Sequence, residues 1–332
     1  MPKGAERPDK LMDLIKECEG AKKVGISGHV RPDGDAVCSC LALQRYLENA
    51  FPRMTVHVNL QSPPETFAEV AGYDRIRTEF PDEKPYDVYF ALDCNLDRLG
   101  PAQAYFLKAG KTVNIDHHVS NGGCGQVNEI QPEISSTAEL LYSLMDPEYL
   151  DEEVAKALYI GMIHDTGVFQ YSCTSPATMR RAADLLEYGF DFPRIIQESF
   201  YQKTYLQSLI LGRCLLDSIR FMDGRCVVAS VSKRVQQFYG VTPKDFEGIV
   251  NQLRNIKGID CAIFMYQTET QEYKVSLRTS EAVDAAKVAQ YFGGGGHVRA
   301  AGCTMSGNFY DCVNNLSEQI ELQLKETEES RK

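Results

Sequence analysis

Residues 22–36 read KKVGISGHVRPDGDA. A short apolar run centred on Val24, Gly25 and Ile26 is followed by a histidine, a proline–glycine turn and two aspartates. The run reads as a strand, Pro32 and Gly34 impose a tight turn, and the side chains of His29, Asp33 and Asp35 can then converge beyond the strand end. A helical pattern follows over 35–49, with Val37, Leu41, Leu43 and Leu47 available for burial. The alternation continues outward. Strands are expected over 55–60, 87–92 (DVYFAL) and 111–115 (KTVNI), and helices over 137–145 and 152–163. Alternating β and α segments imply a parallel sheet covered by helices on both faces, and such sheets bind ligands outside the carboxyl ends of their strands.

The spacing predicts unbroken helix over 176–215 and, beyond it, strands near 226–232, 259–266 and 272–278 and a helix over 283–292. A last helix carries Phe309, Val313, Leu316, Ile320 and Leu324 on one stripe. The expected fold class is α/β in two domains: a parallel-sheet domain over 1–190, a helical connector over 191–215, and a smaller α/β domain with a mixed sheet over 216–332.

Composition narrows the function classes. With 332 residues, 43% hydrophobic and 24% charged, the chain reads as an ordinary globular protein large enough for two cores. No stretch approaches the roughly 18 apolar residues of a membrane span. The polar start MPKGAERPDK lacks the apolar centre of a signal peptide, and the eleven cysteines include no CxxC pair and read as reduced thiols. A cytoplasmic location is expected. The net charge is −11 and uneven: residues 215–332 hold 14 Lys+Arg against 15 Asp+Glu, and the first 214 hold 21 against 31. An acidic chain repels a long polyanion, which favours a small phosphate substrate over duplex nucleic acid. The carboxylate-rich part suits metal ions and the near-neutral part suits an anion.

Five of the six histidines lie in polar clusters at strand or helix ends. His29, Asp33 and Asp35 follow the first strand, Asp93 ends DVYFALD, Asp116, His117 and His118 end VNIDHH, and His164 and Asp165 close the apolar helix LYIGMIHD. Taken singly, each Asp could be a helix cap and each His a satisfied core residue. Four such clusters together argue for a shared site. Imidazole and carboxylate together suit Mn²⁺ or a similar ion, and two ions about 3.5–4 Å apart can clamp a phosphate. His57, alternating with Val56 and Val58, reads as a strand surface residue.

A second signal is GGGGHVRAAG at 293–302. Successive glycines let backbone N–H groups point into one concavity that binds anions. His297 and Arg299 follow at once, and Arg278 ends the preceding strand. Arg offers a bidentate fork for phosphate. A glycine run by itself is as readily a helix stop and tight turn; with the adjacent His and Arg, the expected substrate-binding group is Gly294, Gly295, Gly296, His297, Arg299 and Arg278.

GHVRPDGDA, the Asp of FALDCN, NIDHHVSN and the Asp of MIHDTGVF resemble, in order, the four motifs of the DHH phosphoesterase family. GGGGHVRAAG resembles the signature of the DHH-associated carboxyl-terminal domain. The resemblance spans residues 20–325 and is nearest to the standalone two-domain group, which includes nanoRNases, phosphatases of 3′-phosphoadenosine 5′-phosphate and short cyclic-di-AMP phosphodiesterases. It implies two divalent ions, Mn²⁺ above others. His29, Asp33 and Asp93 would hold one; Asp35, Asp93, His117 and Asp165 would hold the other, with Asp93 bridging. Asp116 would orient His117, and His118 would serve as hydrogen-bond donor or general acid. No ligand role falls to His164. The active site would lie in the cleft between the domains, and the substrate would be a short RNA or nucleotide phosphate, with no membrane or long duplex as partner and a homodimer compatible with the reading. A family II pyrophosphatase would lack GGGGH, a RecJ-type exonuclease would add an oligonucleotide-binding fold, and a non-catalytic nucleotide sensor would lose metal ligands.

Overall fold

The computed structural model describes residues 11–82 and 84–330; the polar start at 1–10 lies outside them. The chain divides into two compact units after Gln202.

The first unit is built on five strands, β1 (Lys23–Ser27), β2 (Thr55–Val58), β3 (Val88–Leu92), β4 (Lys111–Asp116) and β5 (Val127–Ile130). All pair in parallel, in the order β2-β1-β3-β4-β5. Every residue of β3 is buried, as an inner parallel strand with both faces covered requires. Its side chains alternate between two cores. Val88, Phe90 and Leu92 join the cluster under the helices Gly34–Ala50 and Glu152–Asp165, while Tyr89 and Ala91 join Tyr86, Leu99, Tyr105 and Phe106. The order reverses direction between β1 and β3, and ligands of open α/β sheets bind at such a switch point. Four of the five strands match the sequence reading. β5 escaped it because none of its four residues is fully buried, so no apolar pattern marks it.

His57 differs from its expected place on the strand surface. It is half-buried, edge-on to Tyr86, with Nδ1 2.8 Å from Arg77 Nη1. The position faces the aromatic core rather than water. The stretch 176–215 is likewise not one helix. It breaks into Pro176–Leu186, Phe192–Ile196, a π-helical turn Gln197–Tyr201 and Tyr205–Leu216. Asp191 and Thr204 cap the new starts with their side chains, so local capping outweighs the continuous apolar pattern.

The second unit carries β6 (Ile219–Phe221), β7 (Cys226–Val231), β8 (Cys261–Glu269), β9 (Glu272–Thr279), β10 (Gly295–His297) and β11 (Ala300–Ser306), in the order β10-β11-β9-β8-β7-β6. Only β7 and β8 pair in parallel, so the sheet is mixed. One face packs Val275 and Leu277 against Leu316, Ile320 and Leu324 of the helix Phe309–Ser330. The other packs Val227, Ala229 and Phe264 against Ile210, Ile249 and Leu253. Among the described residues no helix is long and apolar enough to cross a membrane.

The glycine run is the main departure from the sequence reading. It is a helix stop followed by an edge hairpin, not an open loop. Gly293 has φ +74° and donates to Gln290 O, and Gly294 donates to Ala289 O at 2.8 Å. This pairing closes the helix Ala285–Tyr291. Gly295–His297 then pairs antiparallel with Ala300–Gly302. A Cβ at Gly294 would lie 2.6 Å from Cys303 Cβ, so close backbone approach explains that glycine. The Gly294 N–H is committed within the chain and is not part of an anion nest.

Candidate metal centre

The carboxyl ends of β1, β3 and β4 deliver the first donors. His29 and Asp33 follow β1, Asp93 follows β3 directly, and Asp116, His117 and His118 lie at the end of β4. Asp35 sits in the first turn of the helix Gly34–Ala50, and Asp165 is the last residue of Glu152–Asp165. These side chains form three overlapping groups whose donor atoms lie within 4.8 Å of one another: His29, Asp33 and Asp93; Asp35, His117 and Asp165; and Asp93, Asp116, His117 and His118.

Asp93 joins the groups. Its Oδ2 is 3.6 Å from His29 Nε2, which is also 3.6 Å from Asp33 Oδ2. Its Oδ1 is 3.5 Å from His117 Nε2, which is 3.0 Å from Asp165 Oδ2. Two ligands of one ion, each about 2.1 Å from it, stand about 3.0–3.4 Å apart. The spacings are therefore those of atoms that can share an ion. Asp93 has φ +59°, a left-handed conformation uncommon outside glycine, and its N–H is anchored on Ile115 O of β4.

Both histidines present the same nitrogen. His29 Nδ1 is 3.0 Å from Val30 O, and His117 Nδ1 is 3.3 Å from Ile134 O. With Nδ1–H donating to a carbonyl, Nε2 is the nitrogen turned toward the carboxylates, and the one that could bind an ion on losing its proton. Asp35 is fully buried, and its oxygens accept from Thr137 N at 2.7 Å, Ala138 N at 2.9 Å and Ser39 Oγ at 3.2 Å. Thr137 Oγ1 also donates to Asp93 Oδ1 at 3.1 Å. The start of the helix Thr137–Leu144 thus fixes two of the carboxylates. The sequence reading missed Thr137. Its signal was present in SSTAE, where Ser136 caps the helix through Glu139 N and marks a positive helix end.

Asp116 corrects another expectation. Its carboxylate faces His118 rather than the His117 ring. Oδ1 accepts from His118 Nδ1 at 2.7 Å and from the His117 and His118 N–H groups at 2.7 and 3.0 Å. Oδ2 accepts from Asn121 Nδ2 at 2.6 Å. The turn after β4 wraps its N–H groups around the nearest carboxylate, and the His117 ring points away to Ile134 O. Asn121, another residue missed in sequence, also donates to Cys94 O and Asn114 Oδ1 at 3.1 Å, tying the β3 and β4 ends together.

The electrostatics describe a cluster that needs cations. Burial raises the Asp35 pKa well above the carboxylate range, and Asp93 and Asp165 add to the rise. Burial also raises Asp165. Burial opposes charge on His29 and His117, yet hydrogen bonds to Asp33 and Asp93, and to Asp165 and Asp93, raise them to about 10 and about 12. The Asp116 hydrogen bond raises His118. Buried carboxylates this close are costly without compensating positive charge, and a mixed imidazole–carboxylate set fits a divalent transition ion. His164 belongs to none of the groups; burial lowers its pKa to about 4.

The expected substrate residues lie in the second unit. Arg278 on β9 pairs in register with Ala300 of β11, which also faces His297 of β10. Arg278 Nη1 donates to Leu277 O at 3.0 Å. Gly295, Gly296 and His297 are exposed. Arg299 is turned toward its own unit, with Nη1 2.7 Å from Ser280 O and 3.2 Å from Val283 O.

Residues 23–162 match the DHH family, N-terminal domain, and residues 223–326 match the DHHA1 domain. The chain is 28% identical to the bifunctional oligoribonuclease and PAP phosphatase NrnA of Thermus thermophilus over 310 residues, 92% of this chain and 90% of that one. It is 24% identical to the protein of the same name from Bacillus subtilis, over 95% of this chain and 99% of that one. The crystal structure of an exopolyphosphatase-related protein from Bacteroides fragilis has a TM-score of 0.87 at 28% identity, covering 94% of this chain and 96% of that chain. With both domains matched in order and the motif side chains gathered at the sheet's switch point, the chain carries a DHH-family N-terminal domain followed by a carboxyl-terminal DHHA1 domain.

Proposed function

We propose that this protein hydrolyses short oligoribonucleotides, of about two to five residues, to nucleoside 5′-monophosphates and removes the 3′-phosphate of 3′-phosphoadenosine 5′-phosphate. The enzyme class is that of its family, a metal-dependent phosphoesterase. The substrates rest on the names of relatives 24–28% identical and on the acid excess of the chain, −11. The observation that carries the reading is Asp93, whose two oxygens face two separate donor groups.

In this reading His29, Asp33 and Asp93 hold one divalent ion and Asp35, Asp93, His117 and Asp165 hold a second, with Mn²⁺ the ion that best suits the mixed donors. When bound, such ions neutralise phosphoryl charge and lower the pKa of water. The chain's own residues do the rest. Thr137 and the N–H groups of its helix keep Asp35 and Asp93 aimed. His118 holds its Nδ1 proton on Asp116 and offers Nε2 to the leaving oxygen as general acid. Arg278, His297 and the exposed glycines 295 and 296 grip the part of the substrate that does not react, with Arg299 supporting them from Ser280 and Val283.

The test is an HPLC time course on purified protein with Mn²⁺, using dinucleotides, trinucleotides, 3′-phosphoadenosine 5′-phosphate, and linear and cyclic di-AMP. Mononucleotide release from di- and trinucleotides and AMP release from 3′-phosphoadenosine 5′-phosphate are expected, both abolished by chelation. Turnover of cyclic di-AMP alone would overturn the substrate assignment.

A further inference from the structure

Gly34 lies between Asp33 and Asp35, and its backbone rests on the ring of His164. A Cβ on Gly34 would stand 2.7 Å from His164 Cβ and 2.8 Å from Nδ1, so only glycine admits this approach. The ring is closed in by Phe67, edge-on at 5.0 Å between centroids, and by Phe200 at 5.4 Å. Its Nε2 lies 3.4 Å from Ser199 Oγ. Ser199 and Phe200 belong to the π-helical turn Gln197–Tyr201, which ends one residue before the unit boundary at Gln202. Such turns are rare and recur at functional sites. His164 precedes Asp165 yet joins none of the donor groups.

We propose that His164 is a positioning residue: wedged between the turn 197–201 and the Gly34 backbone, it props the segment that carries Asp33 and Asp35 so that both reach the donor cluster. The proposal rests on the reading of that cluster as a metal centre. A histidine that only filled space would set stability and leave metal affinity alone. A prop of the Asp33–Asp35 segment sets affinity, because two candidate ligands flank the residue it supports.

The experiment measures Mn²⁺ affinity calorimetrically, and the Mn²⁺-induced rise in melting temperature, for wild type, His164→Ala, His164→Phe, Phe200→Ala, Gly34→Ala and the double variant Gly34→Ala/His164→Ala. Residues that orient metal ligands typically change affinity about 10–100-fold. His164→Ala is expected to weaken binding about tenfold or more, and Phe200→Ala in the same direction. His164→Phe should restore most of the loss, since a flat ring refills the wedge. Gly34→Ala should weaken binding, and adding His164→Ala should recover part of it by removing the ring atoms Cγ and Nδ1 from the clash, while the Cβ contact at 2.7 Å stays. If wild type itself binds no Mn²⁺, the metal-centre reading fails and the proposal with it. If wild type binds and His164→Ala binds equally well, the proposal alone fails. Should His164→Ala not fold, unchanged affinity in folded Phe200→Ala overturns it.

Discussion

The backbone N–H of Thr137 donates to Asp35 Oδ2 at 2.7 Å, across 102 residues of sequence, while the Thr137 hydroxyl donates to Asp93 Oδ1 at 3.1 Å. One residue therefore orients a carboxylate from the helix that follows β1 and another from the end of β3. Thr137→Val keeps the shape and the N–H but removes the hydroxyl. The protein should fold normally and bind Mn²⁺ about tenfold more weakly, or less, by calorimetry. Equal affinity would show that the hydroxyl does not aim Asp93.

Asp93 carries the heavier expectation. Asp93→Ala removes the carboxylate that faces both donor groups, so hydrolysis of every substrate should vanish while circular dichroism stays native. The apo protein also concentrates Asp35, Asp93 and Asp165 in one buried place. Mn²⁺ should raise the wild-type melting temperature, by linkage to the folded state, and should leave Asp93→Ala nearly unmoved. A folded variant that keeps more than a few per cent of activity would sink the bridging role.

Much of this was legible in sequence, for a physical reason. Strand ends in a parallel sheet must place their following residues on one edge, so His29, Asp93 and His117 could be grouped from the β–α alternation alone. Contacts set by helix starts and turns were not legible. SSTAE marks a helix start but not which carboxylates Thr137 meets, and the Asp116–His118 pairing depends on how the turn after β4 closes. The glycine run misled because glycine serves loops, helix stops and close strand pairing alike. Here Gly293 and Gly294 stop a helix, and Gly295 and Gly296 form an edge strand. The unbroken helix expected over 176–215 failed because apolar spacing survives breaks that caps at Asp191 and Thr204 impose.

The Asp116–His118 pair predicts a separation of effects. Asp116→Asn keeps the size but loses the charge that holds the His118 proton. It should lower kcat about 10²–10⁴-fold, the span of general acid catalysis, with KM and Mn²⁺ affinity near wild type. Parallel loss of metal affinity would place Asp116 among the metal-holding residues instead.

Substrate length is a test of the charge argument. With an acidic surface and no accessory nucleic-acid domain among the matched segments, a trinucleotide should be turned over faster than an RNA of about two dozen nucleotides in direct competition. Faster turnover of the long RNA would contradict the preference for short chains.

The last prediction separates the two units by substrate. The first unit holds the donor groups, and the second holds Arg278 on β9 and His297 on β10, either side of β11. Removing one charge-assisted contact to a phosphate costs about 1.5–3 kcal/mol, roughly tenfold to more than a hundredfold in kcat/KM. Arg278→Ala and His297→Ala should therefore cut oligonucleotide cleavage by that factor. They should barely alter hydrolysis of bis(p-nitrophenyl) phosphate, which offers nothing beyond its reacting group to grip. Variants of His29, Asp35 or Asp165 should lose both activities together, because the minimal ester still needs the metal centre. If the minimal ester and the oligonucleotide fall in parallel in Arg278→Ala, that arginine acts at the reacting phosphate, and the division of labour between the units is wrong.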